Sequence, residues 1–216
     1  MKVMKRFILG VSISLVLFGC GKESGDINKE TKPKIQTEAG SYTIDINSYS
    51  ALAGDADYVI IGEVIEELGI DYKWPVILEN EDGSEREETI PFTNYSVKVI
   101  ENLKGELTQE KLINITKRGG ISKDGKYCIL AENDILPSKD NTYIFYIYAQ
   151  DDGSNLSSGP NSTIPIDSNN NSEFSTRTIL DDAEINILEE VREGVENQIV
   201  TEREKSVSND DVSVHK

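Results

Sequence analysis

The sequence predicts a mainly β domain, a small antiparallel barrel followed by one amphipathic helix. Residues 92–104 alternate between apolar and polar side chains, the period of a half-buried strand. NTYIFYIYAQ, at 141–150, is apolar on both alternating faces, as a central strand is. From Leu180 the apolar period lengthens, and Leu180, Ala183, Ile187, Val191 and Val195 fall on one helical stripe.

The chain opens on Lys2, Lys5 and Arg6, followed by an uncharged stretch from Phe7 to Phe18. A basic start and a short apolar run form an export signal. The run is too short for a helix that crosses a bilayer, which needs roughly 20 apolar residues. Leu17-Phe18-Gly19-Cys20 resembles the lipobox of bacterial lipoproteins, in which the cysteine after a small residue is acylated and becomes the new N-terminus. That resemblance implies removal of residues 1–19, palmitate-type lipid on Cys20, and a protein held on the extracytoplasmic face of the cell membrane. Two or three acyl chains at about 0.8 kcal/mol per buried CH₂ suffice to hold it there. Residues 20–40 are rich in Lys, Glu, Gly and Thr and predict a disordered tether between bilayer and domain.

The folded part is expected at 41–178. SYSALAGDAD, at 48–57, predicts a short helical turn, and YVIIGEVIEEL, at 58–68, a strand. Gly62 marks a bulge or bend in that strand. Residues 70–91 read as a loop. In the next strand Thr93, Tyr95, Val97 and Val99 point one way and Asn94, Ser96 and Lys98 the other, ending near Lys104-Gly105. KLINITKRGG gives a strand with Ile113 and Ile115 on one face, stopped by Gly119-Gly120, and YCILA a further strand. Residues 151–171 read as a loop broken only by STIPID, and SEFSTRT, at 172–178, as the last strand. The C-terminal helix is expected at 179–200, with Asp181 as N-cap and Glu184 three residues on, and 201–216 as a disordered tail.

DADYVIIGEVIEE, FTNYSVKVIENLKGE, LINITKRGG and NTYIFYIYA together resemble a group of exported bacterial β-barrel domains. Their folds are similar to the OB-like barrel of the netrin and tissue-inhibitor-of-metalloproteinase superfamily. The resemblance implies an OB-like barrel over roughly residues 55–150. It carries no inhibitory residue across, because those inhibitors use a free N-terminal cysteine and several disulfides.

Composition narrows the function classes. Lys and Arg number 22 and Asp and Glu 39, a net charge of −17, and loss of the basic signal makes the mature chain more acidic still. Such a field repels phosphate backbones, so no nucleic acid partner is expected. With Cys20 lipidated, Cys128 has no disulfide partner and reads as a buried, inert thiol. The single histidine, His215, stands beside the C-terminus, which leaves no Ser-His-Asp or Cys-His constellation. G-x-S-x-G and P-loop motifs are absent, and zinc ligands are too few. The acidic stretches at 79–88 and 149–155 fail the EF-hand pattern and read as exposed turns.

These observations point to a noncatalytic binding module with no cofactor, partnered by the membrane through Cys20 and by an envelope protein or ligand. Trp74 and Tyr72, in DYKWPV, are the candidate contacts, within the long loops at 71–91 and 151–171. A carboxylate-dependent hydrolase of envelope polymers is the competing reading, with a protease inhibitor as a third. The hydrolase requires a deep cleft with two facing carboxylates.

Overall fold

The computed structural model describes residues 32–166, 172–176 and 187–215. The lipobox with Cys20, the start of the tether and the expected helix cap Asp181 lie outside the described residues. The fold is mainly β, with strands in two sheets and a short helix near the C-terminus.

Helix α1 (Tyr49–Asp55) starts where the Ser48 side chain accepts a hydrogen bond from the Ala51 N–H, a standard N-cap. Two long strands follow, β2 (Tyr58–Glu79) and β3 (Glu85–Lys104), then β4 (Ile113–Arg118). Short strands β5 (Gly120–Ile121) and β6 (Tyr127–Ala131) precede the central β7 (Thr142–Ala149). The three-residue strands β8 (Asn155–Ser157) and β9 (Thr163–Pro165) follow, and α2 (Ile187–Glu196) is the last helix.

In the larger sheet the pairings run β2–β3–β4–β8–β7 and return to β2. All are antiparallel except β4–β8, so this circuit has the five-strand order of an OB-like barrel. The circuit is thin at β8, which meets β7 through only two residue pairs, and closure on that side is therefore weak. A second sheet, ordered β1–β6–β5, adds β1 (Lys34–Glu38) in parallel to β6.

The two unbroken apolar runs follow from double burial. Tyr58, Ile60 and Val64 of β2 and Tyr143, Phe145 and Ile147 of β7 fill the barrel interior with Tyr95, Val97 and Ile115. Val59 and Ile61, with Ile144 and Tyr146, face outward but are covered by Leu52 and Ala53 of α1 and Val191 of α2. Each such side chain contributes about 1.5–3 kcal/mol on burial. Gly62 sits at a register shift, where an added Cβ would come 2.6 Å from Val97 Cγ1, so the bend is set by close packing.

Several expectations need correction. Residues 71–91 are not a loop: β2 and β3 continue past the barrel as a two-stranded arm that turns at Glu81-Asp82-Gly83. Residues 151–166 hold β8 and β9, with Asn155, Ser157, Thr163 and Ile164 buried, because β8 supplies the barrel's closing contact. Around 172–176 there is one isolated bridge, Ile135 to Ser175, in place of a strand. The tether's last residues form β1.

Residues 201–215 are not a disordered tail: they strap the barrel. Arg203 donates to Asp57 Oδ1 (2.6 Å) and to the Asp55 carbonyl, Ser208 is fully buried, and Asp211 bridges Leu107. The Tyr58 hydroxyl donates to Asp211 Oδ2 at 2.8 Å and accepts from the Ser208 N–H. Polar side chains gave this segment no apolar period to read, but Thr201, Arg203, Lys205, Asn209 and Asp211 all find partners on the domain.

Candidate functional site

The arm leaves the barrel at a bulge, and Trp74 stands in it. The register shifts between Lys73 and Val76, and Trp74 takes a φ of 52°, an unusual conformation for a bulky residue. The ring is 60% exposed and packs edge-on against Phe92 of β3, with centroids 5.3 Å apart. Phe92 itself is buried. Lys73 Nζ stands 4.7 Å from the Phe92 centroid on one side, and the Arg118 guanidinium lies about 6 Å from both rings. Arg118 is oriented by Glu38 of β1, which accepts from its Nε and Nη2. A strained residue holding an aromatic in solvent beside a guanidinium, on a second ring that two cations face, is the kind of feature that concentrates at binding sites.

Register explains how these residues meet. Antiparallel pairing sets Asp71 opposite Phe92 and Asn94 opposite Thr116, so Phe92, Asn94 and Thr116 share the outer face of the barrel. Along that face Asn94 Nδ2 donates to Asp71 Oδ2 (2.9 Å) and Thr116 Oγ1 donates to Asn94 Oδ1 (2.7 Å). The Gly119-Gly120 pair pins the base of the arm. Gly119 accepts from Thr93 Oγ1 at 2.7 Å, and Gly120, at φ 144°, leaves room for that hydroxyl where a Cβ would approach to 2.3 Å.

The turn between β7 and β8 belongs to the same neighbourhood. Hydrogen bonds from the Ser154 hydroxyl and N–H hold the Asp152 carboxyl below its usual range, and Lys73 adds to this electrostatically. Asp82, at the tip of the arm, is held low by Ser84 in the same way. Both acidic turns thus satisfy the aspartate before their glycine internally. Among the described residues, no three of His, Cys, Asp and Glu gather as a metal site.

Of the candidates read from sequence, Trp74 stands on this face and Tyr72 two residues before it, 38% exposed and paired with Pro91. The ring that Trp74 meets is Phe92's. Phe92, Lys73 and Arg118 escaped the sequence reading, although alternation from Asn94 and Ser96 already puts Phe92 on the outer face.

An open groove of about 1010 Å³ lies elsewhere, between the β3–β4 connection and the C-terminal strap. Much of its polar wall is already committed: Glu101 to Arg192, Asn102 to Leu107, Lys111 to Asp210 and His215 to the Asn209 carbonyl, and no Phe, Tyr or Trp side chain lines it. The Trp74 face is therefore the better candidate.

A second polar cluster is wholly internal. Lys117 of β4 and Asp134 are both fully buried and in contact, and Lys117 Nζ donates to Ser162 Oγ at 2.6 Å. Ser157 and Thr163 hydroxyls complete it. Burial pushes the Lys117 amine down and the Asp134 carboxyl up, against the attraction of the pair. Lys117 continues the inward alternation of Ile113 and Ile115, a signal present in the sequence.

Among the described residues no helix is long and apolar enough to cross a membrane. No protein-family model matches the chain, and comparison with curated proteins likewise gives no match.

Proposed function

We propose that this protein is a lipoprotein anchored through Cys20 on the extracytoplasmic face of the cell membrane, and that its barrel is a noncatalytic binding module. The observation that carries the binding role is Trp74, held in solvent edge-on to Phe92, with Arg118 about 6 Å from both rings and Lys73 over Phe92. OB-like barrels bind ligands on the face of their second and third strands and on the flanking loops. Here those elements are β3, β4, the arm and the β7–β8 turn, so the analogy supports the same face. A ligand with a flat surface would stack on Trp74, and the Asp71–Asn94–Thr116 row beside it offers hydrogen bonds. The hydrolase and inhibitor readings gain nothing from a barrel interior filled with Tyr95, Tyr143 and Phe145.

The test is crosslinking in the native envelope followed by mass spectrometry, comparing the wild type with Cys20→Ala and Trp74→Ala. The expected result is a reproducible partner with the wild type alone, while Trp74→Ala stays membrane-bound. A partner set unchanged by Trp74→Ala contradicts the assigned face, and undiminished membrane retention of Cys20→Ala contradicts the anchor.

A further inference from the structure

Strand β4 turns three alternate side chains inward, Ile113, Ile115 and Lys117, so an amine sits where an aliphatic side chain would fill the core. Its nitrogen lies against Asp134 Oδ2 and 2.6 Å from Ser162 Oγ, and Ser162 Oγ is 3.4 Å from the same Oδ2. Amine, hydroxyl and carboxyl oxygen thus form a closed triangle, sealed from solvent. Asp134 Oδ1 makes no hydrogen bond of normal geometry, although the backbone N–H groups of Ile135 and Thr163 face the carboxyl group.

We propose that Lys117 and Asp134 condense to an intramolecular isopeptide bond, with Ser162 as the proton relay. The neutral Lys117 amine attacks Cγ of the protonated Asp134, forming the N–Cγ bond. The Cγ–Oδ2 bond then breaks, and Oδ2 leaves as water after taking a proton that passes from Nζ through Ser162 Oγ. One amine and one carboxylic acid give one amide and one water, with no oxidant or co-reactant.

Three features of the site favour this step. Burial disfavours the charged forms of both partners, and transfer of one proton from Lys117 to Asp134 gives the reactive neutral pair. Fixed neighbours react at effective molarities on the order of 10⁵ M or more, and no bulk water competes in a fully buried pair. The backbone N–H groups of Ile135 and Thr163 face the carboxyl group, and a small approach to the unbonded Oδ1 would let them share the charge of the tetrahedral intermediate. The product removes two buried charges and ties β4 to the segment after β6. Among the described residues the one cysteine, Cys128, is free, so this bond would be a covalent link in a core that no disulfide staples.

Tryptic digestion of the full chain under denaturing conditions decides the matter. The linked protein yields residues 112–118 joined to 127–139, lighter than the two peptides together by the mass of one water, with cleavage after Lys117 blocked. Asp134→Ala restores that cleavage, and in freshly translated chain Ser162→Ala slows linkage about a hundredfold, as loss of a proton relay should. Wild-type chain that yields the two peptides separately, cut after Lys117, carries a plain buried ion pair and overturns the proposal. Linkage at an unchanged rate in Ser162→Ala overturns the relay.

Discussion

Trp74 and Cys128 show how one residue's environment decides its role. Trp74 rests on the surface against a single ring, so Trp74→Ala should shift stability by no more than about 1 kcal/mol while removing the proposed binding platform. A urea midpoint measured beside the crosslinking experiment checks this. Cys128 is fully buried, and burial, with some help from Glu173, pushes its thiol up to about 12. The native protein should therefore resist alkylation at pH 8 and react only on unfolding, which thiol labelling across a urea series will show. Fast labelling of native protein would contradict the packing. Trp74 reads as a loop residue and stands instead at a bulge within β2, whereas Cys128 was legible in the sequence from its apolar neighbours. Lys117 and Asp134 were not, because a charged side chain on an inward register reads as an exception until its partner across the core is known.

At the scale of elements, the strands with two buried faces were the clearest, since β2 and β7 are sandwiched between barrel and helices and need apolar residues throughout. The arm was hidden because neither of its faces meets a core. Val76 and Ile77 are more than half exposed there, so no alternation marks the strands, and Pro75 and Pro91 suggest a loop. Strands β8 and β9 are too short to show a period. The packing of α1 on α2 and on the segment after it depends on glycine: a Cβ on Gly54 would lie 1.7 Å from the Ile199 carbonyl oxygen, and one on Gly194 of α2 2.8 Å from Tyr49 Cβ. Gly54→Ala must push the Ile199 backbone away, breaking its N–H bond to the Ser50 carbonyl. A cost of roughly 1–3 kcal/mol is expected from chemical denaturation. An unchanged midpoint would mean that this segment does not pack on α1.

Over the whole molecule, a barrel weakly closed at β8 is held by its outer layers, with both helices covering β2 and β7 and the C-terminal strap joining α1 to the β3–β4 connection. Buried tyrosines give this arrangement a pH signature. Burial raises Tyr58 to about 12 from the ordinary 10.0, and Tyr95, Tyr146 and Tyr148 also rise by burial. Their contribution is complete below about pH 10 and is lost as pH climbs past it, because the unfolded chain releases those protons first. Lys104 has the opposite sign: burial lowers it to about 8 from 10.5, so stability gains from it as pH rises across that interval. The unfolding free energy should thus hold or rise slightly from pH 8 to 10 and then fall, with the tyrosinate absorbance of these four tyrosines appearing together with unfolding. Ionisation of all tyrosines in the folded protein near pH 10 would contradict the burial. The central claim, that the Trp74 face is where this protein meets its partner, is tested most directly by a photo-crosslinking amino acid at Val76 on the arm, compared with one at the equally exposed Ile199 beside α1, both in the native envelope. The account predicts an adduct from Val76 that disappears with Trp74→Ala and none from Ile199, whereas adducts from Ile199 alone, or equally from both positions, would contradict it.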